Sequence, residues 1–548
     1  MPTKGVVSSM NDDFQLNIHR IIEDAARVVP DREVVSGTGD DQLRYTYKEV
    51  CERVRRFADS LSELGAGPGD RVGILAWNTH RHFESFFAIP ATGATFLQLN
   101  LRLHPETLTY IGNHASPKYL IVDESLLELA EPFAPDVDSI EAYVVLTDGD
   151  LDYIETDLGP LYSYEELVEE GSADYEFPTV DETTACSACY TTGTTGRPKG
   201  VYYSHRSNYL FTMQYGNSLG FTMEDTIFQT VPMFHVQGTM TPFLAPYLGA
   251  KLVLPGRYTM EEPAPLIDLI TDEGATFVTA ASPILRPILN YLREQERTPD
   301  WRDATLMVGA TAPGEDLIRG FEELTGADML HLYGGTESTS FVTASITRPS
   351  DERSDEKVIL QKQKQGIPIP GTSLKLIDPE TGEELPHDGD SVGEVYIRGP
   401  WVASSYFDDE RSEEAFTDDG FWKTGDAGTI DEEGYLQITD RLKHIIKSGG
   451  EWISSADMAN KLLEHPQVED ATVVGLEHPD WEERPFALVT TAPDASLGRE
   501  DLDDLLQEKF ADWQLPDDIA FVDQIPKTSV GKDDKASIRD KYEGRYLP

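Results

Sequence analysis

A chain of 548 residues, 39% of them hydrophobic, is long enough for more than one domain and apolar enough to bury large cores. Its 98 acidic residues against 45 basic ones leave a net charge of −53, spread along the whole chain, which argues against generic binding to nucleic acid or to an anionic membrane surface. Three cysteines exclude a disulfide framework, and no run of 18 apolar residues marks a membrane span.

The dispersed acidic shell fits a protein kept hydrated in a salty cytoplasm. The first residues lack the apolar stretch of a secretory signal, so the expected location is cytoplasmic. Cys186-Ser-Ala-Cys189 has CxxC spacing without a second pair nearby. Both cysteines are expected as small hydrophobes in a strand, not as a metal or redox pair.

In chain order, residues 16–29 put Ile18, Ile21, Ile22, Ala25 and Ala26 on one helical face. Thr46 and Glu49 form a capping box that opens a helix carrying Val50, Val54, Phe57, Leu61 and Leu64, stopped at Gly65. Short apolar strands are expected at 71–76, 119–122, 143–146, 226–231, 251–254, 276–279 and 305–308, with amphipathic helices between them, one through Phe83, Phe86 and Phe87. That alternation predicts α/β layers with largely parallel sheets. Residues 148–182 read as an acidic surface excursion, and 350–365 as a second exposed connection. From Gly393 the texture changes to short strands with turns. A compact α+β segment follows, with helices near 456–463 and 500–510 and strands at 471–475 and 486–491. The division expected is a large N-terminal domain, 1–440, and a small C-terminal domain, 441–548.

The sharpest chemistry lies in Tyr190-Thr-Thr-Gly-Thr-Thr-Gly-Arg-Pro-Lys-Gly200. Thr191, Thr192, Thr194 and Thr195 supply hydroxyl donors, while Gly193 and Gly196 let backbone N–H groups approach a ligand. With Arg197 and Lys199 the stretch reads as a clamp for a polyphosphate. It is not a Walker A loop, because Pro198 stands where the second glycine should be and Gly200 follows the lysine. Further along, Pro232-Met-Phe-His235-Val-Gln-Gly238 follows a strand, and a lone histidine in that apolar setting reads more readily as a satisfied core residue than as a site residue. Gly309-Ala310-Thr311 ends another strand as a tight turn. In Tyr333-Gly334-Gly335-Thr336-Glu337, the ring can stack on a base, the hydroxyl can donate to phosphate, and Glu337 is a hard oxygen ligand suited to Mg²⁺. Thr424-Gly-Asp426 reads as a turn before a hairpin, with a carboxylate that can accept two hydroxyls. A basic string from Arg441 to Lys447 stands out in an acidic chain, and Lys532 follows a glycine near the C-terminus.

Taken together, and in this order, these strings resemble those of the acyl-adenylate-forming superfamily, which holds acyl-CoA synthetases, luciferases and carrier-loading adenylation domains. The resemblance spans essentially the whole chain. It implies that Thr191–Gly196 with Lys199 hold the β and γ phosphates, that Gly309, Ala310, Thr311, Tyr333 and Gly334 line the adenine, and that Asp426 and Arg441 hold the ribose, with Thr336 on phosphate. It implies Mg²⁺ near Thr191 and Glu337, and His235, Gly238, Thr239, Gly334 and Gly335 around the acyl group. By the same resemblance Lys443 is the hinge of a mobile lid. Lys447, Gly449, Gly450 and Trp452 then face CoA, and Lys532, Glu337 and His235 are catalytic. The Glu451-Trp452-Ile-Ser-Ser455 ending looks most like medium- and long-chain fatty acyl-CoA synthetases using ATP, Mg²⁺ and coenzyme A. Near relatives often carry a tryptophan gate where this chain has Thr239. Aryl, branched or sulfur-containing short acids, and free-standing loading of a carrier protein, are the alternatives. A homodimer is expected by analogy alone.

Overall fold

The computed structural model describes residues 6, 8–11, 13–37, 42–191, 197–309, 311–348, 354–449, 451–491, 497–527 and 533–547. Two large sheets dominate the N-terminal part. One has nine strands, and its centre is the parallel set Glu33–Ser36, Lys251–Leu254, Thr226–Gln229, Phe277–Ala281, Thr305–Gly309 and Asp328–Tyr333. The other has seven strands, parallel from Leu161–Ser163 through Ala185–Tyr190, with Gly200–Ser204 antiparallel at its edge. Strands such as Ala142–Leu146 and Thr95–Gln98 are buried at every position, as expected where helices cover both faces of a parallel sheet.

The expected capping box is present. Thr46 Oγ1 accepts from the Glu49 amide, and the Glu49 carboxylate accepts from the Thr46 amide at 2.8 Å, opening the helix Tyr47–Glu63. The helix His80–Ala91 buries Phe83, Phe86 and Phe87. Phe243, on the helix Val236–Leu248, packs edge-on against Phe86 and Phe87 at 5.4 and 5.5 Å. Helices from both sheets therefore share one core. Each such ring contributes about 1.5–3 kcal/mol relative to leaving it exposed.

Two stretches read as surface connections are more ordered than that. Within 148–182 lie the strand Leu161–Ser163 and the helix Tyr164–Glu170. Tyr164 is fully buried, and its hydroxyl donates to the fully buried Glu84, which also accepts from Arg53 at 2.7 Å. Burial pushes the Glu84 carboxyl up, and the Arg53 guanidinium pulls it back. A seven-residue helix with three exposed glutamates and a fourth, Glu165, paired with Arg53 and Arg81 has too few apolar positions for its period to be seen. Within 350–365 the helix Asp355–Gln363 buries Ile359 and Gln361. Cys186 and Cys189 sit buried and free in Ala185–Tyr190, and burial pushes both thiols up to about 12.

A four-stranded antiparallel sheet ends in Leu436–Arg441, and a five-stranded sheet begins at Ile446–Ser448. The smaller C-terminal body packs the helices Ser455–Leu462 and Arg499–Gln507 on that sheet through Met458, Leu462, Val473, Ala487, Leu502 and Leu506. Asp440 ties the two parts together, since its carboxylate accepts from the Ser455 and Ala456 amides and from the Ser455 hydroxyl. No helix among the described residues is long and apolar enough to cross a membrane.

Candidate active site

The site lies at the carboxyl edge of the nine-stranded sheet, where α/β proteins bind ligands. The adjacent strands Thr305–Gly309 and Asp328–Tyr333 end there, and the hairpin Ala185–Tyr190/Gly200–Ser204 of the other sheet faces them. The Tyr203 hydroxyl joins the two by donating to the Thr336 carbonyl at 2.7 Å.

Of the phosphate-loop residues, Thr192, Gly193, Thr194, Thr195 and Gly196 lie outside the described residues. The base of that loop is closed by Thr191 and Lys199. The Thr191 amide donates to the Lys199 carbonyl at 2.9 Å, and the Lys199 amide donates to Thr191 Oγ1 at 3.1 Å. A strap from Tyr406 to Arg411 holds it from below. The Phe407 amide donates to Gly200 O, and Arg411 Nη1 donates to Arg197 O.

The strap also carries the residue that links the motifs. Lys199 Nζ donates to the Tyr406 hydroxyl at 2.7 Å, and that hydroxyl donates to Glu337 Oε1 at 2.6 Å. Two charged residues 138 positions apart in sequence thus meet through one phenol. Burial and the Glu337 charge both push the Tyr406 pKa up, so it remains a donor. Burial lowers the Lys199 pKa, and Glu337 opposes that. Sequence reasoning missed Tyr406, which stands at the head of an acidic run, Asp408 to Glu414, that reads as a solvated surface stretch.

A second cluster sits beside the first. The Tyr333 hydroxyl donates to Asp426 Oδ2 at 2.6 Å, and Arg441 Nε pairs with Asp426 Oδ1 at 2.6 Å. Arg441 Nη1 also donates to Thr424 O. These partners fix the orientation of the Asp426 carboxylate, a group chemically suited to accept from a diol. Thr424-Gly-Asp426 is not a turn before a hairpin, because it lies inside the strand Trp422–Ile430. Gly425 has φ +69°, and the register shifts between Ala427 and Gly428, so a bulged strand reads locally as a turn.

Gly334 is enclosed, since a Cβ there would lie 2.2 Å from Ser340 O. Gly335 sits in a closely packed turn. Its amide donates to Ser338 Oγ, and the Trp422 ring stands 3.0 Å from where its Cβ would be. Thr339 holds φ +61° in the left-handed region, anchored by its hydroxyl on Trp401 O at 2.6 Å.

His235 begins the helix Val236–Leu248, with its ring 4.7 Å from that of Phe234. A small cavity, about 20 Å³ of water-accessible space or room for about one water, is lined by residues that include Tyr215, Gln237, Met307, Gly309, Leu332 and Phe341, and not by His235. Gly238 and Thr239, expected around the acyl group, do not line it. A Cβ on Gly238 would strike Pro232 O at 2.2 Å, and the Thr239 hydroxyl turns to His235 O and Gln98. On a helix, neighbouring residues point about 100° apart, so Gln237 faces the cavity while the next two turn away. Gly309 lies under Gln237, whose Nε2 would be 2.5 Å from an added Cβ. Thr311 is described, exposed just beyond that strand, whereas Ala310 lies outside the described residues.

In the C-terminal part, Lys443 sits in the turn after Arg441, and its carbonyl accepts from Arg539 at 2.9 Å. Lys447 and Trp452 face each other across the hairpin Ile446–Ser448/Glu451–Ile453. Gly449 has φ +62°, and Trp481 packs where a side chain would go. Gly450 and Lys532 lie outside the described residues. The segment that carries Lys532 is closed at its base by Lys527, which pairs with Asp533 at 2.6 Å and Asp470 at 2.5 Å.

The AMP-binding enzyme model matches residues 22–407, and the AMP-binding enzyme C-terminal domain matches 457–532. The chain belongs to the AMP-binding enzyme family. This AMP-binding enzyme is 39% identical over 545 residues to a long-chain-fatty-acid–CoA ligase of Thermus thermophilus, covering 98% of each chain. It is 37% identical to a medium-chain-fatty-acid–CoA ligase of Ectopseudomonas oleovorans, covering 96% of each. Among solved structures, it resembles the anthranilate CoA ligase AuaEII in complex with anthranoyl-AMP, with a TM-score of 0.84 and 26% identity, covering 96% of this chain and 98% of that one. The α/β fold read from the sequence, with a large N-terminal part and a smaller C-terminal one, agrees with this likeness.

Proposed function

We propose that this AMP-binding enzyme is an AMP-forming fatty-acid–CoA ligase, acting on a medium- or long-chain acid with ATP and coenzyme A. The observation that carries the reading is the meeting of Lys199, Tyr406 and Glu337 beside the Asp426 cluster, which puts phosphate-holding and ribose-holding groups on one edge. In the first half-reaction a carboxylate oxygen attacks the α-phosphorus of ATP, and the bond to pyrophosphate breaks, leaving acyl-AMP. In the second, the CoA thiolate attacks the acyl carbon and AMP departs.

Lys199, Thr191 and the loop through Gly196 hold the leaving phosphates. Asp426, with Tyr333 and Arg441 on it, receives the ribose hydroxyls. Glu337 and the Thr191 hydroxyl are hard oxygen donors, and no cluster of three or more His, Cys, Asp or Glu suited to a metal occurs among the described residues. That small donor set fits Mg²⁺, which takes one or two protein ligands and completes its shell from water and substrate phosphates. When bound, the ion supplies charge neutralisation at the phosphates. Lys532 is assigned to the attacking carboxylate and α-phosphate, where negative charge concentrates. His235 borders the acyl and thiol path.

We place the domain boundary at 440/441, with Lys443 as the hinge about which the C-terminal lid turns between the two half-reactions. Gly449, Gly450, Lys447 and Trp452 then meet the pantetheine arm. Lys443→Pro is expected to keep pyrophosphate release within about threefold and to slow thioester formation at least tenfold, the pattern of a gating step. Single-turnover assays of each half-reaction check this, and equal slowing of both counts against the hinge. A homodimer and a cytoplasmic location belong to the same reading by analogy.

The reading is tested by pyrophosphate release with MgATP in molar salt, across acetate to oleate plus benzoate and phenylacetate, with and without CoA. A CoA-stimulated maximum in the alkyl series is expected. A maximum on aryl acids would overturn the substrate, CoA-independent turnover would favour loading of a carrier protein, and ADP as product would discard the mechanism. The protein itself, heated in dilute buffer and in molar salt, tests the acidic shell, since equal melting in both would remove the salty-cytoplasm argument.

A further inference from the structure

We propose that Lys535 is a positioning residue that acts through Lys532, tying the helix behind the catalytic segment across the hinge to Asp440 and so holding the lid for adenylation. The assignment rests on the roles given above to Lys443 and Lys532. Lys535 opens the helix Lys535–Tyr542, which Asp534 caps by accepting from the Ser537 amide at 3.1 Å. Ile538 on that helix is fully buried and shares a core with Val474, Leu476, Phe486 and Leu488 of the five-stranded sheet, so the helix is fixed to the lid. Two basic residues on it reach the hinge turn. Lys535 Nζ donates to Ser455 Oγ at 2.6 Å, and that hydroxyl donates to the Asp440 carboxylate. Arg539 Nη1 donates to the carbonyl of Lys443 at 2.9 Å. Residues four apart lie one above the other on a helix, so a single face holds the turn at two points.

Asp440 stands before the hinge, and Ser455 and Lys535 stand after it. The link therefore joins the large domain to the lid. An ammonium taken out of water needs a compensating charge. Burial lowers the Lys535 pKa, and the carboxylates of Asp440 and then Asp533 raise it back. Asp533 travels with the lid, whereas Asp440 stays with the large domain. A turn about Lys443 thus takes from Lys535 the larger of its two compensating charges. Lys532 precedes Lys535 by three residues, a span of at most about 11 Å. Asp440 adjoins Arg441, whose Nε is paired with Asp426, so the link keeps the root of the catalytic segment beside the groups assigned to the ribose. At the other end of the segment, Lys527 pairs with Asp470 and Asp533, all within the lid. Only the Lys535 end is referred to the large domain.

The test is a double-mutant cycle on the full-length enzyme, read by single-turnover pyrophosphate release and, separately, by thioester formation from supplied acyl-AMP. Lys535→Met is expected to slow pyrophosphate release about tenfold, within what a misplacement of about 1 Å costs a reacting group. Thioester formation is expected to stay within about threefold, because a lid released from Asp440 still turns. Lys535→Arg can still donate to Ser455 Oγ and is expected to restore pyrophosphate release to within about threefold of wild type. Ser455→Ala breaks the link from the other end while the Ser455 and Ala456 amides remain on Asp440, and it is expected to show the same one-sided loss even if Lys535→Met fails to fold. Combined with Lys532→Ala, Lys535→Met is expected to add less than about threefold, since a residue acting through another has no effect once that other is gone. Equal slowing of both half-reactions, no slowing in either folded variant, an arginine as damaging as methionine, or a further tenfold loss on top of Lys532→Ala overturns the positioning role and leaves the ligase reading intact. Unchanged adenylation in Lys532→Ala alone overturns the reading of Lys532 on which the role rests.

Discussion

Lys532→Ala is expected to slow pyrophosphate release by about 10²–10³-fold, the loss typical of removing one preorganised group that stabilises transition-state charge. Thioester formation from supplied acyl-AMP is expected to survive within a few-fold. The asymmetry follows from charge. During adenylation the acid's carboxylate approaches a phosphate that is itself anionic, and an ammonium between them offsets the repulsion. During thioester formation the carboxylate charge is already esterified, so the same ammonium has little to do. In a chain with net charge −53, a lysine on a short segment closed by the Lys527–Asp533 pair is a local exception to the prevailing field. The melting temperature is read alongside, so that a loss of fold is told apart from a loss of catalysis. If both half-reactions fall together, the division of labour is wrong.

Glu337→Gln is expected to be the next most damaging change, costing about 100-fold in adenylation at fixed Mg²⁺ and raising the Mg²⁺ needed for half-maximal rate at least tenfold. Glutamine keeps the shape and can still accept from Tyr406, so the fold should hold. What it loses is the charge. Glu337 holds up the Lys199 pKa against burial, so the variant's alkaline limb should also shift to lower pH as Lys199 gives up its proton sooner. Tyr406→Phe removes the bridge but no charge, and about a tenfold loss is expected, as for partners one shell out from a metal ligand. Wild-type Mg²⁺ dependence in Glu337→Gln would refute the metal assignment. Equal effects of the two variants would mean that Glu337 acts chiefly by holding Tyr406.

Much of this enzyme is legible before folding is considered. The strings around Thr191–Lys199, Tyr333–Glu337, Asp426 and Arg441–Gly449 are local, because a backbone that must cradle phosphate or turn tightly needs glycines, hydroxyls and charges close together in sequence. The parallel strands are legible for a related reason, since a strand buried on both faces must be continuously apolar. The capping box at Thr46 is a four-residue event and needs no partner elsewhere.

What tertiary structure decided are the meetings between distant residues. Tyr406 reaches Lys199 across 207 positions and Glu337 across 69, and no local pattern marks it because a phenol in a loop has many uses. The direction of the cavity was hidden for the same reason. Gly238 and Thr239 are expected from the sequence around the acyl group, but helical rotation turns them to Pro232 and Gln98 and leaves Gln237 facing Gly309. Tyr215 reads as one more apolar position on a helix until the sheet carrying Met307 is laid against it. Residue types and spacing determine which chemistry the chain can carry. Only the packing of two sheets and their helices decides which side chains share a space, because that depends on contacts whose closing loops span scores to hundreds of residues.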